Sequence, residues 1–256
     1  MAARRTEEMI KIRDELMLDH GKDGKERFEP SFVKLDLADE NLESNEKVAQ
    51  QIISIHGRVD ILINNAGVSS RGSVLETNVQ VYRKMMFVNY LNQISLTKIF
   101  LNEMIQKRSG NDCLSERGQI VGVSSVQGRI SLPFRSSYSA TKHALQGFYD
   151  SLRAELEGDN IPVDITVISP GYIKTDLSRN AMTGTGDAHG KMDATTASGE
   201  EPETVVRDTL KAVLNRKPEL VNCPWKARLM ILLRPLFPGL YFAIMKHYAK
   251  KQKNAL

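Results

Sequence analysis

Tyr138 and Lys142 are the residues whose types and spacing most directly suggest chemistry. They stand four positions apart, so on a helix they share one face and their polar ends can converge. A tyrosine has an ordinary pKa of about 10, and a close lysine ammonium favours its phenolate. The pair therefore suggests a tyrosine that exchanges a proton near neutral pH. Taken alone, it is also typical of a solvated helix face.

A serine pair supplies a further candidate. Ser125, preceded by Ser124, stands 13 residues before Tyr138 and follows an apolar run that is typical of a strand. A chain that leaves a strand and returns as a helix can bring the Ser125 hydroxyl back to Tyr138. The elements around these residues therefore decide whether they form a site.

The bulk composition favours one globular domain. The 256 residues are 41% hydrophobic and 26% charged. This composition is sufficient for one hydrophobic core and argues against disorder over most of the length. The formal charge of +4 is spread along the chain except at its ends, which argues against a nucleic-acid partner. Cys113 and Cys223 lack metal-ligand spacing, so we expect a reducing compartment and no metal site.

Predicted strands alternate with predicted helices along the chain. The strands are expected at 32–37, 59–63, 119–123, 163–168 and 219–221. This alternation predicts an α/β fold with a parallel sheet covered on both faces. Ligands of such sheets bind beyond the carboxyl ends of the strands, where 64–67, 124–125 and 169–171 all fall. These three polar endings are therefore expected to share one site.

The remaining segments predict helices and one long loop. Amphipathic spacing predicts helices at 9–17, 48–55, 79–108 and 136–157, with Gly21 and Gly57 as stops for the first two. The segment 176–199 is poor in apolar residues, which predicts a mobile loop or lid. Pro202 is placed as a first-turn proline of one more helix.

The two ends of the chain differ in character. The N-terminus is charged from Arg4 onward and has no apolar core of a secretion signal. Two short apolar runs near the C-terminus, 229–233 and 240–245, are interrupted by Arg234 and two prolines, so a simple membrane span is not expected. Lysines follow them. The segment either lies on a membrane surface or packs on the protein's own core.

Several ordered motifs carry a resemblance to a known family. They are Asn64-Asn65-Ala66-Gly67, Asn89, Ser125, Tyr138-x-x-x-Lys142, and Pro170-Gly171 with Thr175. From Ala2 to about Val221 the chain resembles a short-chain dehydrogenase/reductase. The resemblance implies a Rossmann-like doubly wound parallel sheet over 1–222, with 223–256 as an apolar and basic segment. It also implies an NAD(P)-dependent oxidoreductase that interconverts a carbonyl and a secondary alcohol.

The resemblance implies a role for each catalytic candidate. Tyr138 would be the general acid/base, and Lys142 would hold the nicotinamide ribose and lower the Tyr138 pKa. Ser125 would hydrogen-bond the substrate oxygen. Asn89 would position a water in a proton relay.

The resemblance also implies a cofactor site. Besides Tyr138 and Lys142, its residues are Arg4, Arg5, Asp36, Leu37, Asn65, Ala66, Gly67, Pro170, Gly171, Ile173 and Thr175. A guanidinium pair at Arg4 and Arg5 suits a 2′-phosphate, which favours NADP over NAD. The alternative for this pair is a solvated basic N-terminus.

The sequence departs from the family pattern at its beginning. A glycine-rich turn is expected upstream of Arg4, and Gly21 and Gly24 cannot replace it, because no strand leads into them. The sheet is therefore expected to be truncated and to lack the strand between its second and fourth members. The alternative function is a catalytically inactive form that acts through its surface or C-terminal segment. A second departure, 111–117, is expected to be a surface insertion.

Two strings, at 125–156 and 233–245, resemble a membrane-associated subgroup of the family. This likeness implies a location at the endoplasmic reticulum or another intracellular membrane. It also implies a lipid-like substrate. It leaves a homo-oligomer open as a further expectation.

Overall fold

The centre of the molecule is a four-stranded parallel sheet. A computed structural model describes residues 1–19, 29–108 and 117–253. The strand order is β3, β5, β6, β8. These strands are Ile61–Asn64, Gly118–Val123, Val163–Pro170 and Glu219–Asn222. All neighbours pair in parallel, which confirms the predicted α/β architecture.

Helices cover both faces of this sheet. One face packs against α5, where Leu145 and Tyr149 are buried with Ile120 and Val167. The other face packs against α7, where Ala212 and Val213 meet Val121 and Ile168. The larger helices before the C-terminal segment are α1 Thr6–Asp19, α2 Glu43–His56, α3 Val79–Met86, α4 Asn92–Arg108, α5 Ser136–Gly158 and α7 Pro202–Leu214.

The helical tract from Val79 to Arg108 is not one regular helix. A π-helical turn, Phe87–Leu91, separates α3 from α4. Such a turn bulges the backbone locally and is frequent at functional sites. It carries Asn89, so the irregular turn falls at a predicted catalytic residue.

The sheet is divided near the N-terminus. A separate parallel pair joins β1, Ala2–Ala3, to β2, Val33–Lys34. Among the described residues, this pair forms no strand pairing with β3, whose Ile61 and Ile63 are about half exposed. A cavity of about 580 Å³ lies between the two sheets. The gap is at the place where the sequence predicted a missing strand.

The segment 176–199, predicted as a mobile loop or lid, contains short ordered elements. Its strand β7, Met182–Thr183, pairs in parallel with β4, Ser70–Arg71, and a helical turn, α6, spans Ala194–Ala197. The sequence did not predict these two short elements. The pairing joins segments more than a hundred residues apart, so the local composition of 176–199 could not indicate it.

The C-terminal segment forms two helices, α8 Trp225–Leu236 and α9 Pro238–Lys253. Tyr241 is 2% exposed and packs with Val126 and Ile130, and its hydroxyl donates to the carbonyl of Ser131 at 3.1 Å. The outer side keeps large apolar side chains exposed: Trp225, Leu229, Leu232, Leu236, Phe237, Leu240, Phe242 and Ile244. The segment therefore packs on the core and also presents an apolar surface.

Two further predictions concern a membrane span and the segments between the described ranges. Within the described ranges, no helix is long and apolar enough to cross a membrane. Gly21, Gly24, Cys113 and most of the expected insertion, 111–116, lie outside the described residues.

Candidate active site

Tyr138 and Lys142 lie on the buried face of α5. Their exposed fractions are 7% and 3%. The Lys142 Nζ is 5.7 Å from the centre of the Tyr138 ring and donates to the carbonyl of Val123 at 2.8 Å. The helical spacing of the sequence thus places the two side chains together at the carboxyl end of β5.

Burial acts on these two groups in opposite directions. It lowers the pKa of Lys142 to about 8, because the apolar surroundings disfavour the ammonium. Burial raises the pKa of Tyr138, against the opposing effects of a hydrogen bond with Ser125 and the positive charges of Arg71 and Arg135. Tyr138 is therefore protonated at neutral pH and able to donate. A lowering of the Tyr138 pKa by Lys142 stays a prediction.

Ser125 stands where β5 ends and a short 3₁₀ helix, Val126–Gly128, begins. Its Oγ accepts a hydrogen bond from the Gln127 backbone at 3.1 Å and donates to the Pro170 carbonyl at 3.5 Å. Ser125 therefore interacts with Tyr138 and also connects the ends of β5 and β6. The residue after β6, Gly171, bonds the neighbouring strand β8, because its N–H donates to the Asn222 carbonyl at 2.8 Å.

Asn89 is fully buried between the end of β3 and α5. Its Oδ1 accepts from the Val68 N–H at 2.8 Å, and its Nδ2 donates to the Val68 carbonyl at 2.9 Å and to Thr141 Oγ1 at 3.0 Å. The amide holds the polypeptide after β3 against the helix of Tyr138. Its role in positioning a water stays a prediction.

Gly67, in the predicted cofactor motif after β3, lies next to Asn89 and Lys142. A Cβ at this position would lie 3.4 Å from Asn89 Oδ1 and 3.7 Å from Lys142 Nζ. These are ordinary van der Waals distances, so the Gly67 backbone lies close beside both groups. The strand end and the catalytic residues therefore form one continuous site.

The cavity between the two sheets gathers one part of the predicted cofactor site. Seven of the predicted residues line it: Arg4, Arg5, Asp36, Leu37, Asn65, Ala66 and Gly67. Its walls also include Val33, Leu96 and Phe100, so an apolar chamber ends in carboxylate and guanidinium groups. This combination fits an aromatic base and a phosphorylated ribose.

The other part of the predicted cofactor site lies after β6. Pro170, Gly171, Ile173 and Thr175 do not line the cavity. Ile173 forms a parallel bridge with Glu200, and its carbonyl accepts from the Thr175 N–H at 2.9 Å. The role of these four residues at the nicotinamide end of a cofactor stays a prediction.

Sequence reasoning missed a buried ion cluster beside Tyr138. Arg71 and Arg135 both bond the carboxylate of Asp193, which belongs to the lid. The positions of the two arginines could have indicated that they lie near the site, since Arg71 follows a strand-end motif and Arg135 immediately precedes α5. Nothing in the sequence indicates that Asp193, 122 residues from Arg71, is their partner. In the described part of the chain, no group of three or more His, Cys, Asp or Glu could hold a metal ion.

Comparison with known proteins decides the family. The model of the family "short chain dehydrogenase" matches residues 4–185. The chain belongs to this family. This match confirms the resemblance that the sequence motifs indicated.

Proteins named dehydrogenase/reductase SDR family member 7B are among the relatives that this chain resembles. One from Xenopus laevis is 48% identical over 226 residues, which is 88% of this chain and 66% of that protein. A Drosophila melanogaster relative, "Dehydrogenase/reductase SDR family protein 7-like", is 40% identical over 255 residues, 100% of this chain and 74% of that protein. The chain thus spans about two thirds of the Xenopus relative's length.

Solved structures of family members share the fold. A short chain dehydrogenase/reductase from Burkholderia phymatum in complex with NAD has a TM-score of 0.77 at 20% identity, covering 93% of this chain and 84% of that one. A short chain dehydrogenase from Escherichia coli CFT073 complexed with NADPH has a TM-score of 0.70 at 21% identity, covering 87% and 85%. This chain therefore has the same Rossmann-like fold as these solved structures.

Proposed function

We propose that this chain is a nicotinamide-dependent oxidoreductase that interconverts a carbonyl and a secondary alcohol, with Tyr138 as general acid/base. The observation that carries the proposal is the buried set at the strand ends. Tyr138 interacts with Ser125, and Lys142 and Asn89 converge on Gly67. Family membership supports the same reaction class.

The protein's own groups have distinct tasks in this reaction. Tyr138 holds a proton at neutral pH and donates it to the substrate oxygen during reduction. Ser125 orients that oxygen by donating its single hydroxyl proton to the substrate in place of the long contact with the Pro170 carbonyl. Bound NAD(P) supplies the hydride chemistry. Because Tyr138 favours its protonated form, reduction is favoured at neutral pH and oxidation gains rate in alkali.

We propose NADP as the preferred cofactor. Arg4 and Arg5 are exposed at the rim of the cavity, where their guanidinium groups are free to reach a 2′-phosphate. Asp36, Asn65 and Gly67 would hold the adenosine part, and the loop after β6 would hold the carboxamide. The relatives with NAD and NADPH bound support a nicotinamide cofactor without deciding between the two.

A fluorescence titration tests cofactor binding. We expect the purified chain to bind NADPH saturably at micromolar concentration. Replacing Arg4 and Arg5 with alanine should weaken NADPH binding about tenfold or more, since charge-assisted bonds are lost, and leave NADH binding unchanged. An absence of saturable binding up to millimolar NADPH would contradict the proposed function and favour an inactive form.

We further propose that α8 and α9 lie on a membrane surface and deliver a lipid-like substrate. Support comes from the exposed apolar side chains of both helices and from the lysines in the last turn of α9, since an apolar face beside basic residues is typical of interfacial helices. The endoplasmic reticulum or another intracellular membrane is the location that the resemblance implies. Co-sedimentation with anionic phospholipid vesicles measures this attachment, and an unbound protein would refute it.

A further inference from the structure

Two buried arginines next to Tyr138 share a single carboxylate. The side chains of Arg71 and Arg135 are 5% and 9% exposed. Arg71 donates to Asp193 Oδ2 through Nε at 2.8 Å and Nη2 at 2.6 Å, and Arg135 donates to the same oxygen through Nη2 at 3.0 Å. The cluster therefore buries two positive charges against one negative charge. Burial of an incompletely paired ion is costly, so the cluster attracts a further anion.

The hydrogen-bond donors of the two arginines are unequally used. The Nη1 of Arg71 donates to Ser69 Oγ and to the Ser70 carbonyl, both at 2.7 Å, so that all its nitrogens are engaged. Arg135 makes a bond through Nη2 only; among the described residues, its Nε and Nη1 have no hydrogen-bond partner. Its guanidinium lies over the ring of Tyr172, at 5.6 Å from the centre. Arg135 thus retains free donors while its plane is held in place.

The cluster is linked through neighbouring residues to the start of α5, which carries Tyr138. Arg135 stands three residues before Tyr138, and Ser70, next to Arg71, bonds Ser137 at 2.6 Å. Both guanidinium charges lower the pKa of Tyr138 against the larger effect of its burial. An anion held by the arginines therefore lies within electrostatic range of the phenol.

Asp193 shows that this place accepts a carboxylate. It comes from the lid, whose Met182 packs against Tyr138 on the same side. His189 Nε2 lies 3.4 Å from the other carboxylate oxygen of Asp193. An anionic ligand group would bond the same two arginines in place of this carboxylate.

We propose that Arg71 and Arg135 bind an anionic group of the substrate, a carboxylate or a phosphate monoester, while Tyr138 exchanges a proton with its carbonyl oxygen. This inference rests on the proposed function and adds the substrate class. The anion competes with Asp193 and uses the free donors of Arg135. The substrate is then an anionic carbonyl compound or alcohol.

Anion binding is tested without turnover. Calorimetric titrations use inorganic phosphate and benzoate, in proteins with Arg4 and Arg5 replaced by alanine so that the cofactor side does not contribute. Arg135→Gln should weaken binding about tenfold or more, and Asp193→Asn should tighten it severalfold by removing the competing carboxylate. Arg153→Gln, within α5 and outside the ion cluster, should have no effect. Binding by Arg135→Gln equal to its parent, or no saturable binding by the parent and Asp193→Asn, would overturn the proposal.

A turnover assay separates this proposal from the proposed function. Hydroxyacetone phosphate and levulinate are compared with hydroxyacetone and methyl levulinate, with NADPH, in the otherwise unchanged chain. Arg135→Gln should lower kcat/KM for the anionic compounds at least tenfold more than for their neutral partners. Equal losses for both would show that the arginine only supports the fold and would refute an anion site. Anion binding without any turnover would instead contradict the proposed function alone.

Discussion

At the scale of single residues, burial sets the protonation of the catalytic pair. Tyr138 keeps its proton because the apolar surroundings disfavour a phenolate, and Lys142 loses part of its affinity for a proton for the same reason. The positive charges that act on Tyr138 belong to Arg71 and Arg135. Charged groups outside α5 therefore act on the Tyr138 phenol as well.

Lys142→Met tests the burial of the lysine through stability. Folding lowers its pKa from 10.5 to about 8. The unfolded chain binds the proton more strongly, so the folded protein carries a penalty below pH 8 that disappears as pH rises toward 10.5. Between pH 10.5 and pH 7 the stability of the variant relative to the parent should therefore rise by roughly 3 kcal/mol. The hydrogen bond to the Val123 carbonyl is lost at every pH, so it does not produce this change.

Denaturant unfolding at several pH values between 7 and 10.5 measures this difference. Lys98→Met, at an exposed position of α4, is the matched control and should show no such trend. A constant difference between Lys142→Met and the parent across this range would contradict the assigned burial.

At the scale of elements, the C-terminal helices have two different sides. Tyr241 and its neighbours fix α9 to the 3₁₀ helix after Ser125. The opposite side exposes Leu232 and Phe242, at 60% and 54%. A membrane-bound surface on these helices would therefore be attached rigidly to the element that follows the active-site serine.

The double variant Leu232→Glu with Phe242→Glu tests this surface. Two carboxylates on the apolar side should reduce partitioning onto anionic vesicles about tenfold or more, since charge opposes burial in the interface. The variant should keep its unfolding midpoint, because both positions are exposed. Leu214→Glu, on an exposed position of α7, should bind vesicles like the parent. Equal vesicle binding by all three proteins would exclude α8 and α9 as the attachment surface.

At the scale of the whole molecule, local patterns predicted the sheet and the position of the site. Short apolar runs defined the strands, and polar residues at 64–67, 124–125 and 169–171 meet at their carboxyl ends as expected. The π turn at Asn89, the pairing of Ser70 with Met182 and the ion cluster around Asp193 were not predictable. Each depends on packing or contacts between distant segments, which leave no periodicity in the sequence.

The central claim is that Tyr138 donates the proton, and turnover by Tyr138→Phe tests it most directly. The measurement is NADPH-dependent reduction of a carbonyl compound, with NADPH affinity determined for the same protein. The phenylalanine keeps the packing and lacks the proton, so kcat should fall about a hundredfold or more while NADPH binds as in the parent. Turnover by the variant at the rate of the parent would contradict the account.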